Sequence, residues 1–185
     1  MMKQILLPVV ALSALMLGGC ATEPTRFSTG AIKARTFNFV HMEKEQEPAY
    51  ADNRADAHAL IQSAIEENLV AKGLTQVETN GDVIVLYLII VSNGTSTKTI
   101  NDYFGYGAAY ALQDKAHQAF AIDNRNQTAF DAGTLVIDIV DPRHGTLLWR
   151  NFVYRPILRH LPIEQRQVRL QEAVDEVFKG LKVTP

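Results

Sequence analysis

The order of hydrophobic patterns along the chain, running strand, helix, strands, hairpin, helix, predicts an α+β domain. The expected architecture is an antiparallel or mixed β-sheet with two amphipathic helices packed on one face. Two helical stripes and one β-branched run carry this expectation. Ala57, Leu60, Ile61, Ala64, Ile65 and Leu69 recur at helical spacing, as do Leu170, Ala173, Val174, Val177, Phe178 and Leu181, so each segment has one apolar side to bury. Residues Val83 to Val91 read Val-Ile-Val-Leu-Tyr-Leu-Ile-Ile-Val without a polar interruption. Such a run suits a central strand covered on both faces, or covered by helices on one face and by a partner on the other.

The chain starts with a processing signal. Met1, Met2, Lys3 and Gln4 precede a run from Ile5 to Leu17 that is apolar apart from Ser13, the layout of a secretory signal. Thirteen residues of helix would cover roughly 20 Å, short of the hydrocarbon core of about 30 Å that a spanning helix must cross. The run ends in Leu17, Gly18, Gly19 and Cys20, and here the sequence resembles a bacterial lipobox. Small residues let the peptide lie extended in a protease groove, and the thiol supplies the nucleophile that is alkylated. The resemblance implies a signal peptide over residues 1–19 and lipidation of Cys20, the chain's one cysteine. Several acyl chains then make the anchor effectively permanent, at about 0.8 kcal/mol for each buried methylene. Ala21 in place of Asp implies, by the lipoprotein sorting rule, the outer membrane, with the domain on its periplasmic face.

Residues 20–31 read as the lipidated cysteine and a flexible tether, small and polar up to about Gly30, and residues 32–185 as one periplasmic domain. Ile32 to His41 holds the β-favouring Thr36, Phe37, Asn38, Phe39 and Val40, a first strand. Asp52 or Asn53 can cap the first helix, and Gly73 follows Lys72 where a left-handed cap ends it. Asn93 and Gly94 favour a tight hairpin, returning Thr95 to Ile100 alongside the long strand.

Between Asn101 and Ala132 the pattern is weakest. Tyr103, Phe104, Gly105, Tyr106, Gly107 and Tyr110 form an aromatic and glycine cluster, and Ala109, Leu112, Ala116, Ala119 and Phe120 allow a short helix. Gly133 to Val140 is a strand, Asp141 to Gly145 a turn, and Thr146 to Tyr154 the returning strand. A four-residue loop would set Asp138 opposite Trp149, with Leu135, Ile137 and Ile139 sharing a face with Leu148, Arg150 and Phe152. A slip of one residue reverses these assignments. Pro162 starts the last helix, with Glu164 at the favourable end of its dipole.

Four features together resemble the domain-of-unknown-function 4136 family of bacterial lipoproteins. They are the lipobox; the early strand with Thr36 and Phe37; the Ala71-Lys72-Gly73 helix end ahead of a long apolar strand; and the segment from Gly133 to Asp138 leading through a turn to Leu148, Trp149 and Arg150. The resemblance runs from about Ile32 to Val183. Many members carry a tryptophan in the first strand and a glycine after the Trp-Arg pair, where this chain has Phe39 and Asn151. The resemblance implies a fold and a location but no chemistry.

The remaining composition bounds function. A length of 185 residues with 47% hydrophobic and 21% charged residues is that of one folded domain, which excludes a disordered or fibrous chain. A net charge of −2, from 18 basic and 20 acidic residues without long like-charged blocks, offers no footprint for nucleic acid. The five histidines show no metal-ligand spacing, and no nucleophile-elbow pattern occurs. Neither a metal, a cofactor nor a catalytic group is expected.

Possible contacts to a ligand or partner are Tyr103, Tyr106, Tyr110, Asp138, Trp149 and Arg150. The tyrosines suit an interface or pack over a sheet face. Asp138 is either a polar contact in a pocket or sits on the less covered sheet face in solvent or beside a basic neighbour. Trp149 is a core residue or a surface anchor, and Arg150 is expected to lay its stem on the sheet with its head in water. These features lead to a non-enzymatic binding or scaffolding module with an envelope protein as partner, or, alternatively, a carrier for a lipid or other apolar small molecule.

Overall fold

The computed structural model describes residues 26–40, 54–91, 95–96, 129–130, 133–158 and 161–185. Strands β1 (Phe27–Ser28), β2 (Ile32–Lys33) and β3 (Thr36–Phe39) precede helix α1 (Ala55–Ala71). Then come β4 (Thr75–Gln76), β5 (Val83–Ile90), β6 (Thr95–Ser96), β7 (Ala129–Phe130), β8 (Thr134–Asp141) and β9 (Thr146–Tyr154). Helix α2 (Ile163–Val177) and β10 (Val183–Thr184) complete the described elements.

The main sheet has six strands in the order β1-β9-β8-β5-β3-β4. It is mixed: β3 runs parallel to both β4 and β5, while the pairs β5–β8, β8–β9 and β9–β1 are antiparallel. The α+β class, mixed sheet and two helices on one face therefore stand as expected. Alternate residues of the long strands separate two hydrophobic clusters. One side presents Val83, Val85, Leu135, Ile137, Ile139, Trp149 and Val153 to Ile61, Ile65 and Leu69 of α1 and to Ala173, Val174 and Val177 of α2. The other gathers Leu86, Leu88, Ile90, Val136, Val140 and Leu147. Both faces of β5 are thus buried, which is why its sequence lacks the polar alternation of a half-exposed strand.

Both helical stripes face the sheet. Gly73 ends α1 with φ of +92°, donating its N–H to the carbonyl of Val70, a conformation that costs a residue with a Cβ more than glycine. The N-cap position of α1 is Arg54, without a side-chain cap; Asp52 and Asn53 lie outside the described residues, as do Asn93, Gly94 and the short helix expected after Tyr110.

Four expectations change. The tether is ordered earlier than Gly30: Phe27 and Ser28 pair with Arg150 and Trp149, Thr29 donates its N–H to the carbonyl of Leu148 at 2.9 Å, and the Arg26 guanidinium lies 4.7 Å from the Phe152 ring centre. The polar composition of this stretch reflects an edge strand. The first strand is split, because Ile32–Lys33 pairs in parallel with β10 while Thr36–Phe39 joins the main sheet. Thr95–Ser96 pairs with Ala129–Phe130 instead of returning beside β5, whose neighbours are β3 and β8.

The fourth change is the hairpin register. The four-residue loop does place Asp141 opposite Thr146 and Val140 opposite Leu147, but the next pair is Ile139 with Trp149. Leu148 is the extra residue of a β-bulge, which advances the register by one from there on. Asp138 consequently faces Arg150. Leu148 does pack on the helix side as expected, whereas Phe152 packs in the opposite cluster.

Candidate functional site

Asp138 and Arg150 meet in the centre of the sheet, on the side away from the helices. Arg150 donates from Nε to one carboxylate oxygen at 2.7 Å and from Nη2 to the other at 2.6 Å. Asp138 is 0% exposed and Arg150 1%, so neither the solvated aspartate nor the wet arginine head expected from sequence occurs. The basic neighbour does. Because both oxygens are matched by a planar fork, the pair offsets much of the cost of taking two charges from water. It is buried within the fold and joins β8 to β9 where Asp138 and Arg150 stand opposite each other.

Trp149, adjacent in sequence, points to the opposite face. It is 5% exposed, and its ring stacks on Phe178 with centres 5.5 Å apart and planes 10° from parallel. It is a core residue. Cys20, Tyr103, Tyr106 and Tyr110 lie outside the described residues. Of the contact residues named from sequence, the fold brings together Asp138 and Arg150 and turns Trp149 away from them.

The two positions that depart from the common family pattern have structural partners. Phe39 makes edge-on contacts with Phe37 and Tyr87. Asn151 donates to the Val177 carbonyl at the end of α2 and accepts from Arg26 Nε, both at 2.6 Å.

A concave site that sequence reasoning missed lies between the helices and one end of the sheet. It is a cavity of about 170 Å³. Ala57, Leu60 and Ile61 come to it from α1, Leu170 and Ala173 from α2, and Leu135 and Val153 from the sheet. The segment 155–158 and Leu161 close one side. Gly133 sits at its base with φ of +97°, donating to the Ile90 carbonyl at 2.6 Å and accepting from the Arg155 N–H at 2.9 Å. A Cβ there would stand 2.1 Å from the Arg155 carbonyl oxygen. Glycine is what lets the end of β9 approach the start of β8 closely.

The cavity walls are apolar and its rim is basic. Arg54, Arg155, Arg166 and Arg169 line it, against a single carboxylate, Asp56. Arg155 pairs with Glu176. Arg169 Nη2 reaches the Pro156 carbonyl at 3.4 Å, and Arg166 Nη1 stands 3.7 Å from Asp56. The Nε of Arg166 is buried without a hydrogen-bond partner among the described residues. Arg155, Arg166 and Arg169 all fall in the turn and first half of the last helix, beside Pro156, Ile157 and Leu158. That clustering of guanidinium and apolar residues was the available signal, but only folding places it over α1.

Elsewhere, two carboxyls are held below the usual range. At Asp82 the Arg35 backbone N–H is the main cause, opposed by burial and assisted by Thr36 and Arg143. For Asp141, burial pushes upward but is outweighed by hydrogen bonds from His144 and Arg143. Both carboxylates fasten loops: Asp82 holds the Arg35 and Thr36 amides at 3.0 and 3.2 Å, and Asp141 holds the hairpin turn. Among the described residues no group of three His, Cys, Asp or Glu side chains is placed to hold a metal ion, and no helix is long and apolar enough to cross a membrane.

No curated protein matches the chain. Among solved structures, a PelC dodecamer from Paraburkholderia phytofirmans is similar at a TM-score of 0.45 and 10% identity, over 86% of this chain and 97% of that one. A PelC variant dodecamer from the same organism gives 0.46 and 11%, over 87% and 97%. A PDZ domain protein from Parabacteroides distasonis gives 0.40 and 15%, over 78% of this chain and 31% of that one. The model of the family described as "Domain of unknown function (DUF4136)" matches residues 25–181. With the match spanning most of the sequence, from the edge strand through the last helix, the chain belongs to the DUF4136 family.

Proposed function

We propose that this protein is an outer-membrane lipoprotein, anchored through Cys20 on the periplasmic face, whose domain is a non-enzymatic binding module for a small apolar ligand. The observation that carries the binding reading is the cavity of about 170 Å³ between α1, α2 and the sheet, walled by aliphatic side chains. Small-molecule sites are concave and mostly apolar, with a few polar groups at defined places, and this cavity has that composition. It favours the ligand carrier over a scaffold for an envelope protein. The lipobox-like run ending at Cys20 supports the anchor.

Two measurements test the two halves. Cys20→Ser is expected to abolish incorporation of labelled palmitate and to release the chain from sedimenting membranes; unchanged labelling and sedimentation would overturn the anchor. The mature chain produced without lipid, residues 21–185, is expected to bind the neutral apolar fluorophore N-phenyl-1-naphthylamine, and Ala57→Phe, which fills the cavity from α1, to abolish that binding. An unaltered signal in Ala57→Phe would place the fluorophore elsewhere and remove the support for a carrier.

A further inference from the structure

We infer that the ligand is a single-chain amphiphile with an anionic oxygen headgroup, of the fatty-acid class, its tail in the cavity and its headgroup on Arg166 and Arg169. This rests on the carrier reading above and specifies its ligand. The size of the cavity limits the tail. A buried space near 150 Å³ accommodates one benzene, so 170 Å³ holds about one aromatic ring of the fluorophore or about six carbon atoms of a chain, and the remainder of either must continue toward the rim.

The rim selects the head by charge complementarity. Four arginines and one carboxylate line the cavity, and these arginines differ in how well they are already matched. Arg155 is paired with Glu176. Arg166 makes only a 3.7 Å contact with Asp56 and keeps a buried Nε without a partner among the described residues. The 3.4 Å contact of Arg169 with the Pro156 carbonyl is also longer than a good charge-assisted hydrogen bond. An oxyanion at this rim would supply acceptors to guanidinium donors that now have poor ones. A neutral headgroup gains less, and a cationic one is repelled. Glu164 and Glu172 line the groove on the outer side of Arg169, which confines a favourable anion position to the Arg166 side.

The experiment is displacement of N-phenyl-1-naphthylamine from the lipid-free mature chain by decanoate, decanol and decyltrimethylammonium, each below its micelle concentration. Decanoate is expected to displace at a concentration lower than decanol by on the order of tenfold, the ratio that one charge-assisted hydrogen bond supplies. Decyltrimethylammonium is expected to be the weakest, and acetate or inorganic phosphate alone to displace nothing. Arg166→Gln and Arg169→Gln are each expected to reduce the ratio between decanol and decanoate displacing concentrations, each ratio taken against that variant's own fluorophore affinity. Equal displacement by decanoate and decanol overturns the anionic headgroup but leaves the apolar site standing. Failure of the fluorophore to bind at all removes the carrier reading itself. Should an arginine variant not fold, the wild-type ranking of the three ligands decides alone.

Discussion

Removing one partner of the Asp138–Arg150 pair should destabilise the domain far more than removing both. In the row across the sheet Asp138 lies between Leu86 and Arg150, and Arg150 between Asp138 and Phe27, so the pair is flanked by apolar side chains. Asp138→Leu withdraws both acceptor oxygens, at 2.7 and 2.6 Å, from a guanidinium that is 1% exposed. Breaking a buried ion pair by removing one partner costs about 3–5 kcal/mol. For a domain of this size 1 kcal/mol corresponds to about 2–4 °C, so Tm should fall by roughly 6–20 °C. The double variant Asp138→Leu/Arg150→Met replaces the ions by apolar groups of comparable bulk and should recover most of that loss, since such replacements are often neutral or stabilising. Urea unfolding of wild type, both single variants and the double variant, analysed as a double-mutant cycle, provides the coupling energy. A single variant within 1 kcal/mol of wild type, or a double variant as unstable as the sum of the singles, would refute a sealed and mutually dependent pair.

Gly133→Ala should cost several kcal/mol, because the alanine Cβ would stand 2.1 Å from the Arg155 carbonyl oxygen and φ of +97° is unfavourable for it; thermal unfolding checks this, and a Tm near wild type would contradict it. Phe178→Ala should cost about 3–5 kcal/mol and shift the emission of Trp149, the chain's one tryptophan, since the two rings stack at 5.5 Å; fluorescence spectra and urea titration read both effects. Asp82 should add an acid limb to the stability curve. Its carboxyl is held below the ordinary value of 3.8, mainly by the Arg35 N–H, so the unfolded state takes up the proton first as pH falls. Its stabilisation is therefore present above pH 3.8 and lost as pH drops below it through the folded value. Unfolding free energies of wild type and Asp82→Asn between pH 6 and pH 2 should converge at the acid end, and parallel curves would contradict this.

The sequence by itself determined the secondary elements whose evidence is local and repeated. The stripes Ala57–Leu69 and Leu170–Leu181 each have one apolar side, and the unbroken Val83–Val91 run has two, so burial of that surface dictates two helices on a sheet and a central strand. Gly73 and Pro162 marked helix ends because their backbone preferences are intrinsic. Only the tertiary structure decided what depends on register and on strand partners. Leu148 looks like any other strand residue, yet as a bulge it moves Arg150 from the helix side to Asp138 and sets Trp149 on Phe178. Phe27 and Ser28 carry too little pattern to reveal an edge strand, which exists because β9 has an edge to pair. The basic-rimmed cavity is a consequence of long-range packing. Ala57 and Leu170 are far apart in the chain, and their convergence with Arg166 is produced by the sheet beneath both helices, not by any spacing that a linear motif could record.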